Sequence, residues 1–339
     1  MGNSNRTKTL KDVSRASGLS LITVSRALRL PETVQAETRA RVYRAIEEIG
    51  YVPNLTARSL VSSRSNMIGV VVPILSSSLF ADFAQGVAAV LQREKLQMLL
   101  GVSERSVELE TEAVRTFVGR QADAIIVTGF THSESCRTVL SDFGGPIVET
   151  WNLRDDAIDI AVGYDNVKAS SDMTRYLIEK GYREIALVGG QFGNNDQAVD
   201  RYNGFMAAMS EAGRSVRPDL VISVPTPTTM ESGRDVMLDL MARRNPPDAV
   251  FFHAEIPAHG AYLACLSQGI SIPETVAIAG FGDLKLSPLL PVPMTTVKIK
   301  SEEIGRRAAE CVVARLRGED EEAGRMVDVG YEIMIRESA

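Results

Sequence analysis

The stretch that decides the fold is Thr9-Leu-Lys-Asp-Val-Ser-Arg-Ala-Ser-Gly-Leu-Ser20, which continues as Thr23-Val-Ser-Arg-Ala-Leu28. Thr9 and Asp12 have the spacing of a capping box at a helix start, although Asp replaces the usual Glu or Gln. Gly18 permits the sharp turn that ends a first short helix, and Ser20 can cap a second one. The stretch therefore predicts two short helices joined by a tight turn.

A third helix and a small apolar centre complete this N-terminal unit. The apolar period predicts a helix from Ala36 to Ile49, which Gly50 ends. Gln35 is a poor cap for that helix, which costs about 1 kcal/mol. The residues expected in the apolar centre are Val13, Leu19, Val24 and Leu28. The outer face of the second helix then presents Leu21, Ile22, Ser25 and Arg26. A helix that reads base edges in a major groove must expose side chains in this way.

Charge is distributed unevenly along the chain. Residues 1–64 contain 11 Lys or Arg against 5 Asp or Glu, a formal charge of +6, whereas the whole chain has a charge of −6. The remaining residues, 65–339, therefore have a charge of −12. A basic end on an acidic body localises phosphate attraction to that end. A small helical domain with a solvated basic face is the alternative interpretation of this part of the chain.

Two further strings follow the helices in order, namely Tyr51-Val-Pro-Asn54 and Ala57-Arg-Ser-Leu60. With them, residues 9–64 resemble the headpiece and hinge of the LacI/GalR-type (lactose-repressor) family of bacterial transcription regulators. The resemblance continues to about residue 335 and so covers nearly the whole chain. It implies a DNA-binding regulator with a helix-turn-helix headpiece over 1–52 and a hinge segment over 53–65.

The headpiece residues divide into base-reading and phosphate-binding candidates. Arg26 is the candidate for bidentate contact to a guanine, with phosphate contact as its alternative role. Leu21 and Ile22 match the two positions that set operator choice in the family, and apolar side chains there suit thymine methyl groups. The expected phosphate donors, which position the headpiece without reading sequence, are Thr9, Ser20, Thr23, Ser25 and Asn54.

The segment from Ala57 to Leu60, which includes Arg58, resembles the part of the family that becomes helical only on DNA. In the family its leucine inserts into a central minor-groove step, and such a wedge unstacks and kinks the duplex. The resemblance therefore implies that Leu60 kinks a near-palindromic operator bound by a homodimer. An ordinary linker leucine is the alternative.

At 339 residues, with 45% hydrophobic and 24% charged residues, the chain has the composition of a globular protein of two or three domains. It contains neither an apolar run of about 18 residues nor a hydrophobic signal core, so we expect a cytoplasmic, nucleoid-associated protein. Its three cysteines are far apart, and neither they nor the three histidines have metal-ligand spacing. We therefore expect no cofactor and no metal.

From Met67 onward, short apolar runs alternate with helix-length segments, among them Ser170–Lys180 and Tyr202–Ala212. This alternation predicts an α/β fold with two parallel, doubly wound sheets covered by helices. The segment 158–166 adds a strand directly after the strand at 146–150, which marks a crossing between two lobes. With the resemblance, it predicts a periplasmic-binding-protein-like core whose N-lobe comprises 66–163 and 298–328 and whose C-lobe comprises 164–297 and 329–337.

Ligands of parallel sheets bind beyond the carboxyl ends of the strands, here in an effector cleft between the lobes. The residues that this rule selects are Ser78, Phe80, Thr128, Glu149, Trp151, Asp165, Arg201, Glu255 and Asp283. Arg201 matches the family's ligand-clamping arginine, whose guanidinium can grip a carboxylate or vicinal hydroxyls with two bonds. Trp151, the single tryptophan, either stacks on a sugar-like ligand or packs in the core.

Three strings resemble the gluconate-utilisation repressors within the family, namely Ser25-Arg-Ala-Leu-Arg-Leu-Pro-Glu32, Asp159-Ile-Ala-Val-Gly-Tyr-Asp-Asn166 and Ala277-Ile-Ala-Gly-Phe281. They imply that the effector is a sugar acid such as gluconate, or a phosphorylated relative. Gly282 stands where the family usually has a sugar-binding Asp, and the loss of that carboxylate reduces the repulsion of an anion. Glu149 and Glu255 argue against an anion unless they bind hydroxyls.

These observations predict a homodimeric repressor of a carbohydrate or sugar-acid operon, whose operator affinity changes when a small effector closes the lobes. A family member that responds to a neutral sugar or a nucleoside is one alternative, and a solute-binding protein without DNA function is another. An enzyme is not expected, because no P-loop, dinucleotide fingerprint or Gly-x-Ser-x-Gly elbow is present. A dimer is the expected assembly, since no leucine-heptad helix follows the last apolar strand.

Overall fold

The computed structural model describes residues 8–52, 64–190, 195–225, 228–319 and 325–339. The chain divides into two compact units, residues 1–65 and residues 66–339. The described part of the first unit is helical, whereas the second unit contains two β-sheets covered by helices. None of the helices in these described ranges is long and apolar enough to cross a membrane.

Three helices form the N-terminal unit: α1 (Leu10–Ser17), α2 (Leu21–Arg29) and α3 (Ala36–Ile49). Gly18 and Gly50 adopt left-handed backbone angles at the ends of α1 and α3, as the sequence predicts. The backbone N–H of Thr9 donates to the Asp12 carboxylate at 2.9 Å, so aspartate serves in the capping box. The Gln35 side chain makes no capping bond to α3.

A small apolar core joins the three helices. Its buried members are Val13, Val24, Ala27, Val42, Ala45 and Tyr51. Of the four residues that the sequence predicts for this centre, Val13 and Val24 are fully buried, while Leu19 and Leu28 pack against the core from its edge. Because so few side chains are buried, each of them accounts for a large share of the stability of this unit.

The first sheet of the second unit consists of β1 (Met67–Val72), β2 (Gln97–Val102), β3 (Ala124–Thr128), β4 (Ile147–Thr150), β5 (Ile160–Gly163) and β11 (Met326–Asp328). Its strands lie in the order β11-β5-β4-β3-β1-β2, and neighbouring strands run parallel. Four helices accompany it: α4 (Ser78–Arg93), α5 (Val107–Gly119), α6 (Glu134–Ser141) and α11 (Ser301–Arg317). We call this part the first lobe.

The second sheet consists of β6 (Ile185–Gly189), β7 (Val221–Ser223), β8 (Ala249–Phe252), β9 (Ala277–Gly282), β10 (Thr295–Ile299) and β12 (Tyr331–Met334). Its order is β12-β10-β9-β8-β6-β7, and only β12 runs antiparallel to its neighbour. Its helices are α7 (Asn166–Glu179), α8 (Asp196–Glu211), α9 (Met230–Ala242) and α10 (Glu255–Gln268). This part is the second lobe.

The chain passes between the two sheets at three points. It leaves the first sheet after β5, returns through α11 after β10, and passes once more between β11 and β12. Residues 298 and 299 still belong to β10 in the second sheet, so the return begins slightly later than the sequence suggests. The predicted α/β class with two largely parallel sheets is confirmed.

Two helices begin earlier than their apolar periods indicate. The period predicts a helix from Ser170, but α7 starts at Asn166, where the side chain of Asp165 caps it. Similarly, the period predicts a start at Tyr202, whereas α8 begins at Asp196 after an Asn195 cap. Each first turn contains two polar residues, Asn166 and Lys168 in α7 and Asp196 and Gln197 in α8, so it lacks the apolar spacing that reveals the rest of the helix.

Helices α4 and α11 approach each other at two glycines. A side chain at Gly305 would bring its Cβ to 2.1 Å from the backbone carbonyl oxygen of Phe83. A Cβ at Gly86 would reach the carbonyl oxygen of Glu302 at the same distance. Backbone atoms cannot yield as a flexible side chain can, so only glycine permits this close packing.

Candidate functional site

The outer face of α2 is the first candidate site. Ile22 is 72% exposed and Leu21 is 41% exposed, although both are apolar. Arg26 is exposed beside them, and Ser25 is half-buried. Exposed apolar residues next to an arginine are typical of a recognition surface, since the core of this unit is filled by other side chains.

Some polar residues of the N-terminal unit are already engaged locally. The Ser20 hydroxyl accepts the backbone N–H of Thr23 at 3.1 Å, and the two hydroxyls are 2.8 Å apart. The Thr9 hydroxyl donates to Asp12 at 2.8 Å. These bonds fix the starts of α1 and α2. The other predicted DNA-binding residues, Asn54, Arg58 and Leu60, lie outside the described residues.

The second candidate site is a cavity of about 400 Å³ between the two lobes. Strand ends of both sheets contribute to its walls, as the rule for parallel sheets predicts. The structure brings five of the nine predicted residues to these walls: Phe80, Thr128, Trp151, Arg201 and Glu255.

The other four predicted residues lie elsewhere. Asp165 is exposed and caps α7 through Lys168 N at 2.8 Å. Asp283 pairs with Arg336 at 2.7 Å in a separate groove, which Ser78 also lines. Glu149 is fully buried behind the cavity wall. The rule based on strand ends finds the correct edge of each sheet but does not resolve which way each side chain points.

Arg201 is held rigidly at the second-lobe wall. Its Nε donates to Asn166 Oδ1 at 2.9 Å, one terminal nitrogen donates to the His253 carbonyl at 2.6 Å, and the other donates to Tyr164 Oη at 2.8 Å. The guanidinium also stacks on Phe281, 3.9 Å from the ring centroid. Among the described residues, no carboxylate oxygen lies within 4.0 Å of it.

A second arginine, which sequence reasoning missed, faces the same cavity. Arg105 follows β2 and adopts a left-handed φ of 62°, as does Glu104 before it at 49°. The Arg105 residue as a whole is exposed. Its guanidinium, however, lies between the walls of the cleft and is partly desolvated there. That surrounding, together with the positive charge of Arg201, lowers the pKa of Arg105. The only sequence signal was its position directly after a strand.

Trp151 lines the cavity in a strained backbone conformation. Its φ of 74° is rare for a bulky residue. The indole is 1% exposed and packs against Phe80, with ring centroids 4.7 Å apart, so the packing role is real. Its Nε1 is buried and, within the described part of the chain, has no hydrogen-bond acceptor. A buried donor without a partner costs about 1–3 kcal/mol, which a bound ligand oxygen would relieve.

Glu255 carries the most perturbed carboxyl group of the cavity wall. It accepts hydrogen bonds from the hydroxyls of Ser287 and Thr296, the latter at 2.6 Å. Burial raises its pKa to about 7 despite these bonds, and the charge of Asp283 adds to the effect. The carboxyl is therefore substantially protonated near neutral pH, and its repulsion of an anion is correspondingly small.

Asp196 bridges the two lobes at the edge of the cavity, and the sequence did not single it out. Its Oδ1 accepts from Phe130 N and from the Thr131 hydroxyl, both at 3.2 Å. Its Oδ2 accepts from Asn152 Nδ2 at 2.9 Å. Asp196 starts α8 in the second lobe, whereas its partners belong to the first. This carboxylate therefore connects the two lobes directly.

Behind the first-lobe wall, a buried histidine lies between two carboxylates. His132 Nδ1 is 2.8 Å from Glu110 Oε2, and its Nε2 is 3.3 Å from Glu149 Oε1. Burial alone would lower the pKa of His132, but the two glutamates outweigh it and raise the pKa to about 9. Glu149 is thus committed to His132 and to the backbone N–H of Ile158 at 2.5 Å.

Comparisons with known proteins identify the two kinds of domain in this chain. Residues 9–54 match the model for bacterial regulatory proteins of the lacI family, and residues 174–339 match the periplasmic binding protein-like domain. The chain is 34% identical over 97% of its length to the HTH-type transcriptional regulator GntR of Pseudomonas aeruginosa, covering 95% of that protein. It is 31% identical to GntR of Escherichia coli K12, over 95% of this chain and 96% of the relative.

A solved structure shares the whole architecture. The transcriptional regulator of the LacI family from Silicibacter pomeroyi has a TM-score of 0.90 and 31% identity, covering 98% of this chain and 99% of the other. The similarity therefore extends over the residues of the helical unit and of both lobes. None of the relatives named here is described as an enzyme.

Proposed function

This chain belongs to the lacI family of bacterial regulatory proteins, and from that premise we propose that a small, oxygen-rich anion of the sugar-acid class binds between its lobes as the effector. The chain is a DNA-binding transcriptional regulator, as are its relatives. One observation carries the proposal about the ligand: the guanidinium groups of Arg105 and Arg201 face one cavity, and no described carboxylate forms an ion pair with either.

Arg201 is suited to grip a carboxylate. A guanidinium has five N–H donors, and the three protein bonds leave one donor on each terminal nitrogen. Two parallel bonds from these nitrogens to one carboxylate give a charge-assisted pair of fixed geometry. Because the protein already fixes the side chain, little further entropy is lost when the ligand binds.

The rest of the cavity suits the hydroxyl groups of a sugar acid. Trp151 Nε1 offers a buried donor, and Thr128 lies on the same wall. Glu255, with its pKa near 7, can accept from a hydroxyl when ionised and donate to one when protonated. The objection that these two glutamates repel an anion is therefore weakened, because the raised pKa of Glu255 reduces its negative charge and Glu149 pairs with His132.

Effector binding would change the balance between open and closed lobes. A ligand that contacts Arg105 on the first lobe and Arg201 on the second favours the arrangement that Asp196 already bridges. If operator binding depends on that arrangement, the ligand shifts operator affinity through its differential affinity for the two states. Whether it acts as inducer or corepressor depends on which state binds the operator.

The test is thermal unfolding of the full chain with gluconate, 6-phosphogluconate, glucose and a nucleoside. A ligand at about a hundred times its dissociation constant should stabilise the protein by roughly 2.7 kcal/mol. We expect a sugar acid to raise the melting temperature, Arg201→Ala to abolish that rise, and the exposed control Arg244→Ala to preserve it. A rise with glucose or the nucleoside alone would refute the sugar-acid proposal and support the neutral-ligand alternative.

For DNA, we infer a homodimer that reads a near-palindromic operator through α2. Arg26, Leu21 and Ile22 would contact bases, and the hydroxyls at the helix starts would contact phosphates. The test selects operators from a random DNA pool and compares affinities for the selected and scrambled duplexes. Arg26→Ala should reduce that discrimination by about 1–3 kcal/mol, whereas Arg29→Ala, exposed on the same helix, should leave it unchanged.

The domain division belongs to the same proposal. We propose a headpiece over 1–52, a hinge over 53–65 and two lobes that the chain enters alternately. The alternation of the lobes is supported by the strands, since β5 and β11 belong to the first sheet while β10 and β12 belong to the second. The roles of Asn54, Arg58 and Leu60 in the hinge remain predictions from the resemblance. Loss of operator bending in Leu60→Ala, measured by gel mobility of circularly permuted operators, would support the wedge; unchanged bending would contradict it.

A further inference from the structure

Three potential metal ligands converge behind the first-lobe wall of the cavity. Glu110 on α5, His132 in the loop after β3, and Cys136 on α6 each offer one donor atom, and these atoms lie within 4.8 Å of one another. The Cys136 side chain is fully buried, and Glu110 is 6% exposed. A carboxylate oxygen, an imidazole nitrogen and a thiol sulfur are the three kinds of donor that zinc sites use.

The surroundings of His132 are those of a metal-binding imidazole. Its Nδ1 faces Glu110 inside the cluster, while its Nε2 faces Glu149 on the opposite side at 3.3 Å. A ligating histidine commonly donates its other N–H to a carboxylate, which fixes the ring and raises its basicity. Glu149 is itself fixed by the N–H of Ile158. Glu149 therefore lies at ion-pair distance from the second ring nitrogen of His132.

The ligand set suits the charge of a divalent ion. The ion would bind the Glu110 carboxylate, an unprotonated Nδ1 of His132 and a Cys136 thiolate, so that two anionic ligands match its two positive charges. The thiol proton of Cys136 leaves to solvent, as metal binding to cysteine requires.

We propose that Glu110, His132 and Cys136 form a binding site for one divalent ion of the zinc class, with Glu149 positioning His132 through its Nε2. Three protein ligands leave one position of a tetrahedral ion for water or a further donor. Glu110 also lines the effector cavity, which supplies a route of entry from solvent. The proposal does not depend on the identity of the effector.

A bound ion would connect two segments of the cleft. His132 follows Thr131, whose hydroxyl bonds Asp196 of the second lobe. Glu110 lies in the first turn of α5, shortly after Arg105 at the cavity. An ion held by both would fix these segments relative to each other, and so would link metal occupancy to lobe closure. The spacing of cysteines and histidines along the sequence predicted no metal site. It did not reveal this cluster because the three members belong to separate elements of the fold.

Cobalt is the probe for this site, because it reports a thiolate ligand directly. The untagged full chain is treated with a chelator, dialysed, and titrated with Co²⁺ while near-ultraviolet and visible absorption are recorded. We expect one ion per chain, an intense thiolate-to-cobalt charge-transfer band, visible bands typical of tetrahedral cobalt, and loss of both when Zn²⁺ is added.

Matched variants assign the signal to this cluster. Cys136→Ser should abolish the charge-transfer band, whereas Cys265→Ser, at a buried cysteine of the second lobe, should retain it. Glu149→Gln keeps the thiolate but weakens the support of His132, so metal affinity should fall roughly 10- to 100-fold with the band still present at saturation. Circular dichroism confirms that each variant is folded.

Two results would overturn the proposal. The first is the absence of any charge-transfer band in the wild-type chain at millimolar cobalt. The second is an equal band in Cys136→Ser and Cys265→Ser, which would place the ion elsewhere. In either case the cluster is a buried ion network in which His132 joins Glu110 to Glu149.

Discussion

The proposed functional residues are close together in the sequence of the helical unit but far apart in the sequence of the two-lobed unit. In the first, the side chains proposed to read DNA lie within six residues of one another on the exposed face of α2, from Leu21 to Arg26. In the second, Arg105 and Arg201 are nearly a hundred positions apart and meet only because two sheets place their strand ends at one cleft. A local surface needs only its helix to form, whereas the cleft needs the whole fold.

The proposed functional residues of the helical unit are mainly exposed, whereas several of those in the two-lobed unit are buried. Ile22 is 72% exposed, so its replacement should alter the proposed DNA recognition without disturbing packing. Trp151 and Glu255 are almost fully buried, and both contribute to the packing of the cavity wall as well as to its chemistry. Changes in the cleft should therefore alter stability and ligand binding together, while changes on α2 should separate the two.

The largest expected effect tests how strictly the lobes depend on close helix packing. Gly305→Val would force a side chain against the Phe83 carbonyl and should destabilise the second unit by about 3 kcal/mol or more. Gly119→Ala is the matched control, because nothing lies within 4 Å of a Cβ there. Chemical denaturation of both variants measures the difference; equal stabilities would show that α4 and α11 can separate without cost.

An intermediate effect tests the buried carboxyl of the cleft. The folded pKa of Glu255, about 7, exceeds the ordinary value of 4.5, so the folded state retains a proton that the unfolded state releases. The stability contributed by this group is full below pH 4.5 and is lost as pH rises to about 7, by at most about 3 kcal/mol. Neighbouring His259 has a pKa lowered by burial and stays neutral above that range.

Glu255→Gln removes the titrating group and resembles the protonated carboxyl: its amide oxygen can accept from one of the Ser287 and Thr296 hydroxyls, and its NH2 group can donate to the other. Its free energy of unfolding should exceed that of the wild type increasingly between pH 5 and pH 7, with a constant difference above that. Urea denaturation at several pH values is the measurement. A difference that does not change with pH would mean that Glu255 titrates normally in the folded protein.

The smallest effect separates packing from recognition within the helical unit. Val24→Ala removes two buried methyl groups and should cost about 2 kcal/mol, which a core of this size can scarcely tolerate. Operator binding should fall, while the thermal shift produced by the effector in the two-lobed unit should persist. Ile22→Ala, two residues away and exposed, should change operator preference without changing stability; a loss of stability there would contradict the exposed position.

The sequence predicts more of the helical unit than of the cleft between the lobes. The helix bounds of α3 and the roles of Gly18, Gly50, Ser20 and the Thr9–Asp12 pair are predictable because each depends on residues at most four positions apart. Of the cleft residues, Arg201 was found through the resemblance and Arg105 was missed. Asp196 was also missed, because its three partners lie 44 to 66 positions away.

The sequence by itself therefore determined the three-helix unit, the α/β class of the lobes, the family and the edge of each sheet at which the cavity lies. These follow from short-range capping, from the periodicity of apolar residues and from the direction of parallel strands. Only the tertiary structure decided which strand-end residues face the cavity, that Glu149 pairs with His132 and that burial raises the pKa of Glu255. Side-chain direction and burial depend on every neighbouring element, and no local pattern in the sequence specifies them.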